Sequence, residues 1–573
     1  MNNPLPDKHS LGEFLISRGM ITQDQLRIAQ HAQAQSHAPL GHLLVSLGFL
    51  SDPALREALS ASLGRASVDL THFVADPDAV RLIPESLAKR HRMIPLHLDD
   101  ERSTLTLAIA DPDDVVAFDT LRSTLPAHMR VEALLGSESE IAQAIGQAYN
   151  FDLSIDGILS EIETGEIDFR SHTQAERYDH PIVRLVDAFM ADATRKNASD
   201  IHFEPETGFL RVRYRIDGLL RQACVLHKSC WPAMAVRLKV MAGLNIAENR
   251  APQDGRISMT VHGRMLDFRV SSQPTIHGEN IVLRILDRQK GILALDALGL
   301  NATQLETLKL MIARPEGIIL FTGPTGSGKT TTLYSILQHI NSERVNIMTL
   351  EDPVEYPMAM IRQTSVSEAS KLDFANGIRS MMRQDPDVIL VGEIRDSPTA
   401  EMAFRAAMTG HQVYSTLHSN SALGAIPRLL DIGVLPDIMA GNIIGVVAQR
   451  LIRKLCVHCR RPRAPEAREL KLLGCLDQDP PPQQLYDATG CPQCGFTGYR
   501  SRVAIMELLR MDAELDDLIA SRASRREIHH AAKTKGFYTL ADDGAARVLA
   551  GTTSLGELAR VIDLTDRAFA ARA

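Results

Sequence analysis

Residues 323–330 read Gly-Pro-Thr-Gly-Ser-Gly-Lys-Thr, the G-x-x-x-x-G-K-[ST] pattern, and they follow Gly317-Ile-Ile-Leu-Phe-Thr322, an apolar run with the composition of a buried strand. That order dictates a local fold of strand, glycine loop and helix. Small residues let backbone N–H groups close around phosphate oxygens, and the helix that follows turns its positive end toward them. Thr331-Thr-Leu-Tyr-Ser-Ile-Leu-Gln338 supplies the helical spacing of apolar residues. The pattern implies a nucleoside triphosphate bound by Gly323, Pro324, Thr325, Gly326, Ser327, Gly328, Lys329, Thr330 and Thr331. Lys329 would bridge the outer phosphates, and the Thr330 hydroxyl would sit on Mg²⁺.

Hydrolysis needs carboxylates at the ends of neighbouring strands to place metal and water. Val345-Asn-Ile-Met-Thr-Leu350 is a β-rich run ending in Glu351-Asp352-Pro353-Val-Glu355, and Asp387-Val-Ile-Leu-Val-Gly392 ends in Glu393, with Arg395 and Asp396 behind it. Both deliver an acid to the carboxyl edge of a sheet, where ligands of α/β folds collect. The strand-terminal aspartate common in such sites is replaced by Gly392-Glu393. A third run, His411-Gln-Val-Tyr-Ser-Thr416, leads to Leu417-His418-Ser419-Asn420. His418 is there either a packing and capping residue or a contact to the γ-phosphate.

The 573 residues exceed one core, and a prior of roughly 150 residues per domain gives three or four domains. With 62 basic against 70 acidic residues and a net charge of −8, the surface as a whole is no polyanion binder. No segment reaches the roughly 18 apolar residues of a membrane span, and Met1–Ser10 lacks a basic region followed by an apolar one, so a cytoplasmic location is expected. Seven cysteines are too few and too odd a set for a disulfide framework. Four of them form two C-x-x-C pairs, Cys456/Cys459 and Cys491/Cys494. Such pairs turn four thiolates toward one tetrahedral Zn²⁺ and leave no open position for catalysis. The 31 residues between the pairs exceed the usual zinc-ribbon gap, and redox dithiols or inert thiols are the alternatives.

The first sixty residues repeat: Leu11-Gly-Glu-Phe-Leu-Ile-Ser-Arg-Gly19 aligns with Leu40-Gly-His-Leu-Leu-Val-Ser-Leu-Gly48, and Leu26-Arg27 with Leu55-Arg56. Each copy reads as helix, glycine stop, helix. Thr22-Gln-Asp-Gln25 has the form of a capping box and Ser51 of an N-cap. Residues 1–150 form this repeat plus a small α/β module, marked by Leu105-Thr-Leu-Ala-Ile-Ala110. Residues 151–178, with Asp152, Asp156, Glu161, Glu163, Glu166 and Asp168, read as a solvated linker. From 179 to 292 a new domain shows strand alternation in Leu210–Ile216, a turn at Asp217-Gly218 and another strand at Ile281–Leu286. The phosphate-binding domain spans 293–573, carries the cysteines within 450–500, and is helical beyond Met511.

Gly323–Thr330, Thr349–Glu355, Arg383–Asp396 and Thr409–His418 together resemble the Walker A, Asp box, Walker B and His box of the assembly ATPases of type II secretion and type IV pili. Upstream, Ala198-Ser-Asp-Ile-His202, Arg213–Gly218 and Pro252-Gln-Asp-Gly-Arg256 look like that family's PAS-like second N-terminal domain. The resemblance implies an α/β multidomain chain with a RecA-like P-loop core, and a cytoplasmic homo-hexamer that hydrolyses ATP. It also implies an inner-membrane platform protein and a cytoplasmic-membrane adaptor as partners, without nucleic acid. Glu351 would orient or deprotonate the attacking water, Glu393 act through metal-bound water, and His418 sense the γ-phosphate. A P-loop domain supplies few cations beyond Lys329, so Arg213, Arg215, Arg269 and Arg284 of the preceding domain are candidates to act in trans, with surface ion pairing as the alternative. The leading repeat resembles a module that binds cyclic di-GMP, but Ser10 stands where arginine is usual and Ser62 where glutamine is. From periodicity alone, it is a bundle that only packs. Two other functions compete: a nucleotide-sensing regulator with little turnover, and a nucleic-acid-translocating ATPase using Arg450, Arg453, Lys454, Arg460, Arg461 and Arg463.

Overall fold

A computed structural model describes residues 11–569, apart from 37–39, 64–65, 71–72, 75, 100–102, 112–113, 151–154, 165–179, 262, 288–291, 367–371 and 476–481. Ser10 lies outside the described residues. The chain divides into two compact units, Met1–Arg288 and Gln289–Ala573.

In the first unit the repeat forms four helices, Leu11–Ser17, Gln23–Ser36, Leu40–Ser46 and Asp52–Leu63. Both expected caps are present: Thr22 and Gln25 bond each other's backbone reciprocally, and Ser51 Oγ accepts from Ala54 N–H. The repeat has a packing cause. A Cβ on Gly12 would stand 2.7 Å from Leu26, and one on Gly41 would stand 3.1 Å from Leu55, so each copy uses glycine to bring its first helix against the leucine of its second. Strand β1 (Phe73–Val74) follows, then β2 (Met93–Asp99), β3 (Thr104–Ile109) and β4 (Arg130–Leu135), the last three forming a small sheet. Arg56, 7% exposed, bonds Glu140 at 2.6 Å and fixes the repeat to this module.

Six antiparallel strands make the next layer: β5 (Ala198–Pro205), β6 (Phe209–Ile216), β7 (Leu219–His227), β8 (Gln253–Val261), β9 (Arg264–Thr275) and β10 (Gly278–Asp287). Their order is β8-β9-β10-β5-β6-β7, and β1 adds beside β8 in parallel. Thus two residues from the N-terminal module extend the neighbouring domain's sheet. The helices Pro181–Arg195 and Trp231–Met241 contribute to the same core, with Trp231 stacked on Phe203 at 6.0 Å. Within the stretch read as a linker, Ile155–Thr164 is a helix. Its Ile158 is fully buried, and Glu161 bonds the buried Arg184 at 2.6 Å.

The second unit is built on a seven-stranded sheet of order β13-β12-β14-β15-β11-β16-β19. Its strands are β11 (Gly317–Thr322), β12 (Ile347–Glu351), β13 (Arg362–Ser365), β14 (Val388–Val391), β15 (Gln412–Leu417), β16 (Ile443–Leu455) and β19 (Tyr499–Arg510); β17 (Arg461–Arg463) and β18 (Leu485–Asp487) pair separately. Every residue of β11, β14 and β15 is buried, as expected of parallel strands covered on both faces. Parallel pairing of β12 with β14, β14 with β15 and β15 with β11 sets the carboxyl ends of these strands on one edge. Among the described residues five short helices follow β19, as the pattern beyond Met511 predicts.

Replacing Arg56 by Met would take the buried guanidinium away from the part-buried Glu140 carboxylate. We expect a loss of about 3 kcal/mol in the unfolding transition of the first unit, measured by denaturant titration.

Candidate active site

The loop 323–328 joins β11 to the helix Lys329–Ile340 and rests directly on β16. A Cβ on Gly323, where φ is +147°, would fall 2.5 Å from the Gln449 carbonyl oxygen and 2.7 Å from Ser327 Oγ. Only glycine fits. Gln449 Oε1 accepts from Thr332 Oγ1 at 2.8 Å, fastening the first helical turn to the same strand. Lys329 Nζ donates to the carbonyls of Gly323 (2.8 Å) and Pro324 (3.2 Å) and so folds over the loop. Burial pushes its pKa down, Glu393 opposes that shift, and Arg450 adds to it. Ser327 Oγ is buried with no hydrogen-bond partner among the described residues. An orphaned hydroxyl beside a glycine-lined cradle fits a phosphate oxygen.

The carboxyl edge brings together three of the expected residues. Gly392 N–H donates to Leu350 O at 2.7 Å, and Glu393 emerges immediately beyond it. The Glu393 carboxylate pairs with Arg395 and lies 3.4 Å from His418 Nε2, so His418, half exposed, faces an acid and is no core residue. Thr322 Oγ1 accepts the Ser419 N–H at 2.8 Å and ties the phosphate-loop strand to the loop that carries His418. Lys329 feels the Glu393 charge from across this edge. Glu351 is only 5% exposed, and its carboxylate accepts from Tyr334 Oη at 2.5 Å and Thr349 Oγ1 at 2.6 Å. Its described contacts run to the helix after the loop and not to His418 or Glu393.

One cation set among surface arginines by the sequence belongs to this site. Arg450 is 9% exposed and donates to the carbonyls of Asn420 (3.0 Å) and Gln449 (3.1 Å), joining the strand beneath the loop to the segment after His418. Burial depresses its pKa, and the buried Glu507 opposes that. A signal existed: Gln449-Arg450 is a polar pair inside the otherwise apolar run Ile443–Ile452. The remaining cluster is not an open polyanion face. Arg453 pairs with Glu557 at 2.7 Å, Arg460 donates to Gly551 O at 2.6 Å, and Arg463 is held by Glu469 and Asp487, while Lys454 and Arg461 stay exposed.

The four arginines of the first unit share one sheet face. Arg215, Asp200, Arg284 and Arg269 are successive cross-strand partners over β6, β5, β10 and β9, and Arg213 lies two residues from Arg215 on the same strand. Arg213 pairs with Glu204 at 2.5 Å, and Arg215 and Arg284 share Asp200 at 3.5 Å and 3.2 Å.

The cysteine pairs meet where β16 and β19 end, because Leu455 opposes Tyr499 in their antiparallel ladder. The intervening residues leave the sheet and return through β17 and β18, so the long gap does not separate the pairs. Sγ separations are 3.9 Å for Cys456–Cys491 and Cys459–Cys494 and 3.8 Å for Cys491–Cys494, and all four lie within 4.8 Å of one another. Tetrahedral corners at a Zn–S length of about 2.3 Å are about 3.8 Å apart, so the cage could hold that ion. Burial raises the Cys494 thiol, but N–H groups of Cys491 and Gly498 outweigh it and bring the group down to about 6.

A phosphate loop on a parallel sheet, with acids and a histidine at the carboxyl edge, defines a P-loop nucleoside-triphosphatase. The family model for type II/IV secretion system proteins matches residues 175–560, and that for the MshEN domain matches 63–155. The chain belongs to the type II/IV secretion system protein family and is an ATPase. The type IV pilus assembly ATPase PilB of Myxococcus xanthus is 38% identical over 564 residues, covering 96% of this chain and 98% of that one. The type II secretion system ATPase E of Vibrio cholerae is 40% identical over 508 residues, with 86% and 99% covered. Among solved structures, the pilus retraction motor PilT with bound ADP has 26% identity, covers 65% of this chain and 96% of its own, and gives a TM-score of 0.47.

Gly323→Ala drives a methyl into the Gln449 carbonyl. Titration with a fluorescent ATP analogue is expected to show binding weakened by at least about tenfold, in protein that remains folded.

Proposed function

We propose that this chain is a cytoplasmic motor that hydrolyses ATP as a homo-hexamer and drives assembly of a type II secretion pseudopilus or a type IV pilus. Its partners in this reading are an inner-membrane platform protein and a cytoplasmic-membrane adaptor, which hold it at the membrane periphery. Among the described residues no helix is long and apolar enough to cross a membrane, so attachment through partners suits the chain. Support comes from the relatives named above, which divide between secretion and pilus assembly at similar identity. The observation that carries the enzymatic part is the convergence of the phosphate loop, Glu393 and His418 on one sheet edge.

Residues 323–331 cradle the triphosphate, with Lys329 on its outer phosphates. Thr330, and Glu393 through water, would hold Mg²⁺, which would supply positive charge to the phosphate oxygens. Glu351 orients the attacking water, and His418 contacts the γ-phosphate and registers its loss. Charge growing on the transferred group requires further cations. Arg450 braces this site within the domain, and the row of Arg213, Arg215, Arg269 and Arg284 supplies candidates from a neighbouring subunit. Zn²⁺ bound by Cys456, Cys459, Cys491 and Cys494 has a structural role, since four thiolates close its coordination. For the N-terminal module the reading is regulation or docking. Cyclic di-GMP is the ligand its resemblance implies, although a serine at 10 cannot supply an arginine's charge.

Lys329→Ala and Glu393→Gln are each expected to lower ATP turnover by about a hundredfold in folded full-length protein. Wild-type turnover in either variant contradicts the assignment. Metal analysis is expected to find one Zn per chain, and none after Cys456 and Cys459 are both replaced by Ser.

A further inference from the structure

Glu351 is held at the sheet edge by neutral donors alone. Tyr334 Oη lies 2.5 Å from its Oε2, Thr349 Oγ1 lies 2.6 Å from its Oε1, and Gln363 Nε2 approaches Oε1 at 3.4 Å. A carboxylate offers about four lone-pair directions, so these neutral donors leave about one for a water molecule. Tyr334 stands at the centre of the arrangement. Its oxygen also receives the Glu355 N–H at 3.3 Å, and its ring packs edge-on against Tyr356 at 6.2 Å. One phenol thus grips both ends of the segment Glu351–Glu355.

The placement of Tyr334 in the chain gives this grip a consequence. It sits on the helix Lys329–Ile340, one turn beyond Thr330 and on the same helical face. The residue that would hold metal and the residue that clamps the acid are therefore rigidly joined. Burial pushes the phenol pKa up, with the Glu351 charge adding to it, so Tyr334 keeps its proton and serves as a donor throughout. A buried tyrosine that only packed would need one acceptor of any kind. This one donates its hydrogen bond to the single carboxylate proposed to handle water.

We propose that Tyr334 is a positioning residue for ATP hydrolysis: its hydroxyl fixes the Glu351 carboxylate relative to the helix that carries Lys329 and Thr330, leaving one oxygen lone pair aimed at the attacking water. The inference rests on the reading of Glu351 as the water-orienting acid. Tyr334→Phe keeps the ring and its contact with Tyr356 and removes only the hydroxyl.

The test is a double-mutant cycle in the full chain, with Tyr334→Phe, Glu351→Gln and both together, measured as steady-state hydrolysis of Mg-ATP and by thermal melting. Tyr334→Phe is expected to lower kcat about tenfold, with KM for ATP unchanged within about twofold and the melting temperature within about 3 °C. In the Glu351→Gln background the same substitution is expected to change the residual kcat less than about twofold, because the group it positions is gone. An equal tenfold loss in both backgrounds assigns Tyr334 a merely structural role and overturns the proposal. Wild-type or raised kcat in Tyr334→Phe also overturns it. Wild-type kcat in Glu351→Gln refutes instead the reading of Glu351 beneath it, whatever Tyr334→Phe does.

Discussion

The contact between the phosphate loop and the strand under it governs the second unit. Gly323 lies so close to the Gln449 carbonyl that no Cβ can enter, and Gln449 in turn bonds Thr332 on the following helix. A loop laid on a rigid buried strand holds its shape without assistance from a ligand. The same strand presents Arg450 to Asn420, beyond the histidine. One strand thereby sets the cradle, the start of the helix and the loop that carries His418.

Charge is balanced at short range around this edge. Lys329 and Arg450 are both buried enough to have depressed pKa values, and each is offset by an acid, Glu393 for the first and Glu507 for the second. Glu507 does more than neutralise: it accepts the N–H groups of Ala422 and Leu540, linking the segment after His418 to the C-terminal helices. A change at the phosphate site therefore has a continuous hydrogen-bonded route into those helices. Two cations, two paired acids and an orphaned serine hydroxyl make a site already organised for a polyanion.

Much of this was legible in the chain because it is local. Strand, loop and helix around residue 323 announce themselves by composition and spacing, and the caps at Thr22 and Ser51 by residue type. Glu351 and Glu393 were found as acids that end apolar runs. What escaped depends on distant partners. Tyr334 passes for one more apolar residue in a helix until Glu351 is brought against it, and Arg450 looks like a member of a basic run until β16 carries it beneath the loop. The helix Ile155–Thr164 was hidden by its acids, although Ile155, Ile158, Leu159 and Ile162 follow the spacing of a buried helical stripe. Two residues at Phe73–Val74 carry no periodicity at all, so their addition to the sheet beside β8 had no signal. The two cysteine pairs come together as expected in spite of the long gap, since strand register and not sequence distance places them.

Family membership places the chain among secretion and pilus assembly ATPases, and the geometry around Gly323, Glu393 and His418 says how such a domain would work. The most direct measurement is a structure of the full chain with magnesium and a non-hydrolysable ATP analogue. The account predicts the triphosphate on the amides of residues 325–330, Glu393 in the hydration shell of the metal, and Glu351 within reach of a water in line with the γ-phosphate. Nucleotide bound elsewhere, or both carboxylates turned away from the terminal phosphate, would contradict it.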